Sequence, residues 1–423
     1  MVKDRETAAK QSGKPDSFYG YVIVASAFFI LVAVFVPPNT YGVFFGPLIA
    51  EFNGTRAIIS GAFALNSIAF GVFCVISARL CERFSPRVVV SACGVLLAVG
   101  HFLMSQINYI WQLYLYFGIV ISFSMSIYIA TLSVVARWFV KRRGLMTGIV
   151  FSGFALVATV GPPVANWLIS TYDWRQSFLI LGIACGVIMV SASQFLKRDP
   201  QQVGQSPYGA SVTEQNAPDT RGLSLYEALH TRNFWLICGM YFAFLFCGIL
   251  ALVHIVIHAI DLGTTPASAA NILAVYGVGC LASLNVMGMS GDRFGSRLTF
   301  AISFLLLAIA FFWLLTARET WQLYLFAVIL GLAYGGMQVL FSPLVAEVFG
   351  LRAHGVILAA AAFGGSIGAT LGPFLGGYIF DETGSYSLAF IICAALAIIA
   401  LILTLLLRVR ARGGSNERHQ VQL

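Results

Sequence analysis

Charge is what this chain of 423 residues has least of: charged side chains make up 10% of it, against about 25% in ordinary soluble domains. Together with a hydrophobic fraction of 59%, that deficit excludes the two or three soluble domains its length would otherwise suggest. Paired cysteines are missing as well. The eight cysteines are scattered in or at the ends of apolar runs with no CxxC or CxxxC pair, so neither a zinc knuckle nor a disulfide framework is indicated. No spaced nucleophile and base, and no acidic metal cluster, lies within the apolar runs. An enzyme is therefore disfavoured, and no metal or cofactor is expected. The first 18 residues are polar, and the apolar run after them is too long for a signal h-region, so that run is expected to stay as a helix.

What is present is apolar sequence in lengths that cross a bilayer, which takes about 20 residues per helix. Turn and charge signals delimit twelve runs. They are Tyr19–Ala50, Ala57–Cys81, Val88–Ile107, Trp111–Ala136, Gly144–Ser170, Gln176–Phe195, Phe234–Ile260, Ala267–Ser290, Leu298–Thr316, Trp321–Val348, Gly355–Phe380 and Ser385–Leu407. The first is longer than a bilayer needs and carries Pro37 and Pro38, so tilt and a kink are expected. The segment Gln201–Arg221, rich in Gln, Ser, Gly, Pro and Thr, reads as a flexible linker. The expected plan is an all-α membrane protein: a tail at 1–18, a six-helix bundle at 19–196, a linker at 197–232, a second bundle at 233–408 and a tail at 409–423.

The two halves repeat each other. WQLYL occurs at Trp111–Leu115 and again at Trp321–Leu325, an offset of 210. ARLCERFSPR at Ala78–Arg87 matches GMSGDRFGSR at Gly288–Arg297 at the same offset, and Gly161-Pro162 recurs as Gly372-Pro373 at 211. Such parallel repeats fit two bundles related by a pseudo-two-fold axis along the membrane normal. Charge orients the plan. With the amino terminus cytoplasmic, 22 of the 25 Lys and Arg residues fall on that side and only Arg56, Arg175 and Arg318 opposite. The net charge of +8 therefore reads as a positive-inside bias in an inner or plasma membrane, with both termini cytoplasmic, not as a nucleic-acid footprint.

GDRFGSR at Gly291–Arg297 has the form of the short loop signature of the major facilitator superfamily, with a degenerate first copy carrying Glu82 and Ser85. The plain reading is a charged turn. The sharper one is a gate in which Asp292 meets the positive end of the fifth helix near Gly144, with Glu82, Arg83, Arg143 and Arg293 as companions. YGVFFGPLIAEF, TRAIISGAFAL, YIATLSVVARWFVKRRGLMTGI and HIVIHAIDLG resemble the monocarboxylate-porter branch of that superfamily, over nearly the whole chain outside the tails and linker. The resemblance implies the major facilitator fold and alternating-access transport of small organic acids, often with a proton. Its charged site is not kept: the substrate-pairing arginine falls at Leu284, the acid one turn earlier at Cys280, and the lysine of some members at Pro38. The matching tyrosine of the fourth helix is present as Tyr128.

Polar groups inside a membrane are costly and usually face the bundle interior. Those of the first, fourth, eighth and tenth helices give a candidate pathway of Asn39, Tyr41, Tyr128, Tyr276, Cys280, Leu284, Tyr334 and Gln338. Interhelical hydrogen bonding is the competing account, and the stronger one for Ser and Thr. His254, His258 and Asp261 recur at i, i+4 and i+7 and read as an outer vestibule, a proton-handling group or, least favoured, a metal site. His254 is preferred among them because the resembling family has a histidine there. The glycines from Gly364 to Gly377 read as a helix-packing face, and Asn53-Gly54-Thr55 as an incidental sequon. The function expected is a carrier of a small organic acid, acting as a monomer in the lipid bilayer, with a proton as coupling partner. The alternatives are a carrier of a neutral or amphiphilic compound and a non-transporting sensor.

Overall fold

The computed structural model describes residues 18–52, 56–209 and 222–408. The terminal tails, part of the linker and the Asn53 sequon lie outside them. Twelve described helices are long and apolar enough to cross a membrane. They are α1 Gly20–Phe52, α2 Arg56–Arg83, α3 Pro86–Ser105, α4 Ile110–Trp138, α5 Arg143–Thr171, α6 Trp174–Ser193, α7 Arg232–Asp261, α8 Pro266–Phe294, α9 Ser296–Thr316, α10 Thr320–Phe349, α11 His354–Thr383 and α12 Ser387–Leu406. Helices satisfy their own backbone groups, which is the condition for crossing hydrocarbon. Their ends are set by local chemistry. The side chains of Asp173, Thr231 and Thr265 cap the first turns of α6, α7 and α8, while α10 stops at Gly350, where φ is 79°.

Within the first half α1 packs on α5 and α3 on α6; in the second, α7 packs on α11, α8 on α10 and α9 on α12. α1 runs unbroken through Pro37, Pro38 and Pro47. α4 is less regular: Tyr114–Ile121 forms a π-helix, and the chain turns at Ser126 before resuming at Ile127. A π segment leaves carbonyls misaligned with the α-helical ladder, and side chains of α2 take them up. Asn66 Nδ2 donates to the Phe117 carbonyl at 2.7 Å, and Ser77 Oγ donates to the Ser126 carbonyl at 3.1 Å.

The halves meet chiefly through α5 with α8 and α2 with α11, supported by α4 and α10, whereas α1 and α7 do not pack along one another. At the end of the bundle where α1 starts, called the basic end below, backbone meets backbone. A β-carbon on Gly144 would lie 2.2 Å from the Gly288 carbonyl oxygen, and one on Gly148 would lie 2.4 Å from that of Leu284. Only glycine permits this approach. At the other end Arg175 and Glu51 pair at 2.6 Å inside the first half.

Gly148→Val is therefore expected to force α5 from α8, at a cost of about 1–3 kcal/mol. A lower unfolding midpoint in detergent measures it. Gly42→Val is the control, since a β-carbon there meets nothing within 4 Å.

Candidate substrate pathway

Four tyrosines from both halves converge at the middle of the bundle. Tyr128 in α4 lies near Tyr241 in α7 across the halves, with Tyr334 of α10 close to both, and Tyr276 in α8 lies beside Cys280 one turn on. Aromatic rings hold them in place. Tyr241 stacks on Phe341 at 3.7 Å, Tyr128 stacks on Phe70 at 5.4 Å with Phe35 at its edge, and Tyr334 meets Phe244 at 4.7 Å and Tyr276 at 5.8 Å. Gln338, one turn beyond Tyr334, carries a buried Oε1 with no hydrogen-bond partner. Every one of these side chains is uncharged. The group offers hydroxyl and amide hydrogen bonds between aromatic walls.

The other pathway candidates stand apart from that group. Asn39 Nδ2 donates to the Phe35 carbonyl of its own helix at 2.8 Å. Tyr41 donates to the Ile59 carbonyl at 2.8 Å and stacks on Phe117 at 4.1 Å, packed within the first half. Leu284 is fully buried where α8 crosses α5 at Gly148. Tyr241 was missed by sequence reasoning. Its signal was available as an intramembrane hydroxyl in the seventh apolar run.

His254 is buried among α7, α11 and the start of α12. Its Nε2 lies 2.9 Å from the Pro373 carbonyl and its Nδ1 3.2 Å from the Tyr386 hydroxyl. A carbonyl only accepts, so Nε2 carries a hydrogen and Nδ1 faces a hydroxyl that both donates and accepts. Burial, then Asp261 and Asp381, push the Tyr386 phenol above its usual value, which keeps it protonated. His258 lies edge-on to Tyr386 and Phe390, and Asp261 is exposed. Among the described residues no three His, Cys, Asp or Glu side chains are grouped to hold a metal.

At the basic end the Asp292 carboxylate accepts from two backbone amides at the start of α5, Gly144 N at 2.8 Å and Leu145 N at 3.0 Å. This is a carboxylate cap on a helix terminus, made across the two halves. Arg143 Nε donates to the Ala136 and Phe139 carbonyls at 3.0 and 2.9 Å, tying the start of α5 to the end of α4. Arg83 and Arg293 lie over their neighbours Phe84 and Phe294 and are exposed. Glu82 has a buried Oε1 without a hydrogen-bond partner, and it lines a one-water-sized cavity of about 20 Å³ with Ser133, Arg137, Arg198 and Gly355. Two residues that join the halves at this end escaped the sequence reading. Arg137 donates to the Leu351 carbonyl of the other half at 2.7 Å and pairs with Asp199 at 3.1 Å. His354, wholly buried, bonds Ser133 across the halves.

Twelve membrane-length helices in two packed halves, meeting at an uncharged central group and closed at one end, define a membrane transporter of the two-bundle kind. The family model of the Major Facilitator Superfamily matches residues 18–259 and 242–422. The chain belongs to that superfamily. It is 28% identical over 406 residues to monocarboxylate transporter 13 of Bos taurus, covering 92% of this chain and 89% of that one. It is 27% identical over 412 residues to monocarboxylate transporter 11 of Homo sapiens, covering 91% and 82%. An uncharacterized MFS-type transporter of Escherichia coli (strain K12), YhjX, is 24% identical over 321 residues, covering 74% and 77%. Among solved structures, the transporter FucP in its outward conformation aligns with a TM-score of 0.67 at 14% identity, covering 92% of this chain and 98% of that one. That likeness shows the fold. The protein is an integral membrane transporter, not an enzyme.

Asp292→Asn keeps one acceptor oxygen and loses the charge. A charge-assisted bond is worth about 1.5–3 kcal/mol, so opening at the basic end is expected to rise about tenfold or more. Spin labels at the exposed Phe84 and Phe294, one on each half at this end, read it as growth of a longer-distance population.

Proposed function

We propose that the protein is a secondary carrier of small, largely apolar monocarboxylates, working by alternating access between its two halves. The basic end is read as cytoplasmic, with both termini there. The observation that carries the proposal is the uncharged tyrosine group at the junction of the halves, in a chain whose relatives are named monocarboxylate transporters. An isolated carboxylate at mid-membrane costs several kcal/mol unless donors or a cation compensate. Tyr128, Tyr276 and Gln338 supply neutral donors, each worth about 1 kcal/mol net, in place of the arginine that the monocarboxylate branch carries where Leu284 stands here. Affinity for anions is accordingly low, and apolar bulk against the aromatic walls contributes more. A second reading, carriage of a neutral or amphiphilic compound, is favoured by that same leucine.

Counterflow into proteoliposomes with radiolabelled pyruvate, 4-methyl-2-oxopentanoate and benzoate tests the proposal, because only a carrier shows counterflow. The larger acids are expected to exchange best, with their neutral amides competing nearly as well. No counterflow with any acid, but counterflow with the amides, would move the assignment to the second reading. Tight binding of a small dicarboxylate would contradict the uncharged site.

Proton coupling is assigned to His254, whose Nδ1 faces the Tyr386 hydroxyl and whose Nε2 is committed to Pro373. His254→Gln is expected to weaken the dependence of uptake on an imposed pH gradient by several-fold. Wild-type pH dependence in that variant would remove the assignment. Uptake indifferent to a protonophore in the unmodified protein would remove the coupling itself.

A further inference from the structure

The gate at the basic end is built from a repeat, yet its two sides are made differently. The 210-residue offset relates Asp292 to Glu82, and the 211-residue offset relates the start of α5, Arg143-Gly144, to the start of α11, His354-Gly355. On the α5/α8 side the carboxylate of Asp292 holds the helix terminus through two amides. Its counterpart Glu82 leaves Oε1 buried without a hydrogen-bond partner, so the carboxylate cap is not repeated. Arg143 Nε bonds to two carbonyls at the end of α4. His354, in the equivalent position, bonds across the halves.

The geometry of that ring is specific. His354 Nε2 lies 3.0 Å from the Ser342 carbonyl in α10, and Nδ1 lies 3.0 Å from Ser133 Oγ in α4 of the other half. The carbonyl can only accept, so Nε2 bears a hydrogen; in the neutral ring Nδ1 then accepts from the Ser133 hydroxyl. The ring is fully buried, and Gly355 lets the start of α11 come so close that a β-carbon there would lie 3.3 Å from Ser133 Oγ. One imidazole thus holds α10 and α11 of the second half to α4 of the first.

We propose that His354 is the second lock of the basic-end gate, doing through Ser133 on the α2/α11 side what Asp292 does on the α5/α8 side. The inference rests on the alternating-access reading above, in which this end must open once per cycle. His354 is a positioning residue: it touches no substrate and acts by holding α4. A neutral hydrogen bond is weaker than a carboxylate cap, so this lock is the weaker of the two.

The test uses full-length protein in nanodiscs with spin labels at Phe84 and Phe294, reading the ratio of long- to short-distance populations. Ser133→Ala removes the hydroxyl. His354→Gln keeps a donor near the Nε2 position for Ser342 and loses the acceptor for Ser133. Each is expected to raise the open population about fivefold, with an unfolding midpoint close to the unmodified protein. The two together should be no worse than either alone, because they break one bond. Either combined with Asp292→Asn should multiply, because the two locks are separate. A wild-type ratio in Ser133→Ala, or multiplied effects of Ser133→Ala and His354→Gln, overturns the proposal even if the histidine variant folds poorly. If Asp292→Asn also leaves the ratio unchanged while transport persists, it is the gate reading that fails and not this lock alone.

Discussion

Everything in this structure follows from the lack of water between the two faces of a bilayer. A polar group there must find its partner inside the protein, at a cost of several kcal/mol if it does not. The helices meet that constraint with their own backbones. The few side chains that remain polar in the interior are consequently informative, because each is either tied to its neighbouring helix or gathered with others near the junction of the halves. Asn66 and Ser77 belong to the first kind, stitching α2 to the irregular stretch of α4. Tyr128, Tyr241, Tyr276, Tyr334 and Gln338 belong to the second, being brought together from four helices where no single helix requires them.

The same constraint shapes the contact between the halves. Two apolar bundles in lipid gain little by touching, since lipid tails are as apolar as leucine. Contact then depends on close backbone approach and a small number of directed bonds. Gly144, Gly148 and Gly288 supply the first; Asp292, Arg137 and His354 supply the second. A few bonds spread over two narrow seams hold one end closed, and for alternating access they must be weak enough to exchange. That balance is what the proposed carrier cycle needs, and it places the control of the cycle some distance from the tyrosine group.

The membrane spans were legible in the sequence because hydrocarbon leaves so little choice: run length and the avoidance of charge give each helix to within a few residues. The repeat was legible because both halves solve the same packing problem with the same peptides, as WQLYL at Trp111 and Trp321 shows. Asp292 could be paired with the start of α5 from motif and helix dipole alone. Three features could not be read. The π segment at Tyr114–Ile121 has no composition that separates it from ordinary helix, being apolar throughout. Tyr241 was hidden in an apolar run whose other polar residues, His254 and His258, drew attention to its far end. His354 was hidden because a lone histidine before a glycine, beside the charged Arg352, has the composition of a turn. Its meaning emerges only when the repeat is carried across and Arg143 is found at the equivalent place. Arg83 and Arg293 err in the opposite sense: the motif supplies them to the gate, but each side chain lies over an adjacent phenylalanine.

In the proposed cycle the basic end is a gate that must part for the protein to work. Cysteines at the exposed Arg142 and Met289, which flank the Gly144–Gly288 contact, allow it to be clamped with a short bifunctional thiol reagent cleavable by reductant. The native cysteines are buried, apart from the half-buried Cys238. Counterflow in proteoliposomes is expected to stop when the clamp is set and to return when it is cleaved. Counterflow that continues at its original rate through a fully clamped population would contradict the account.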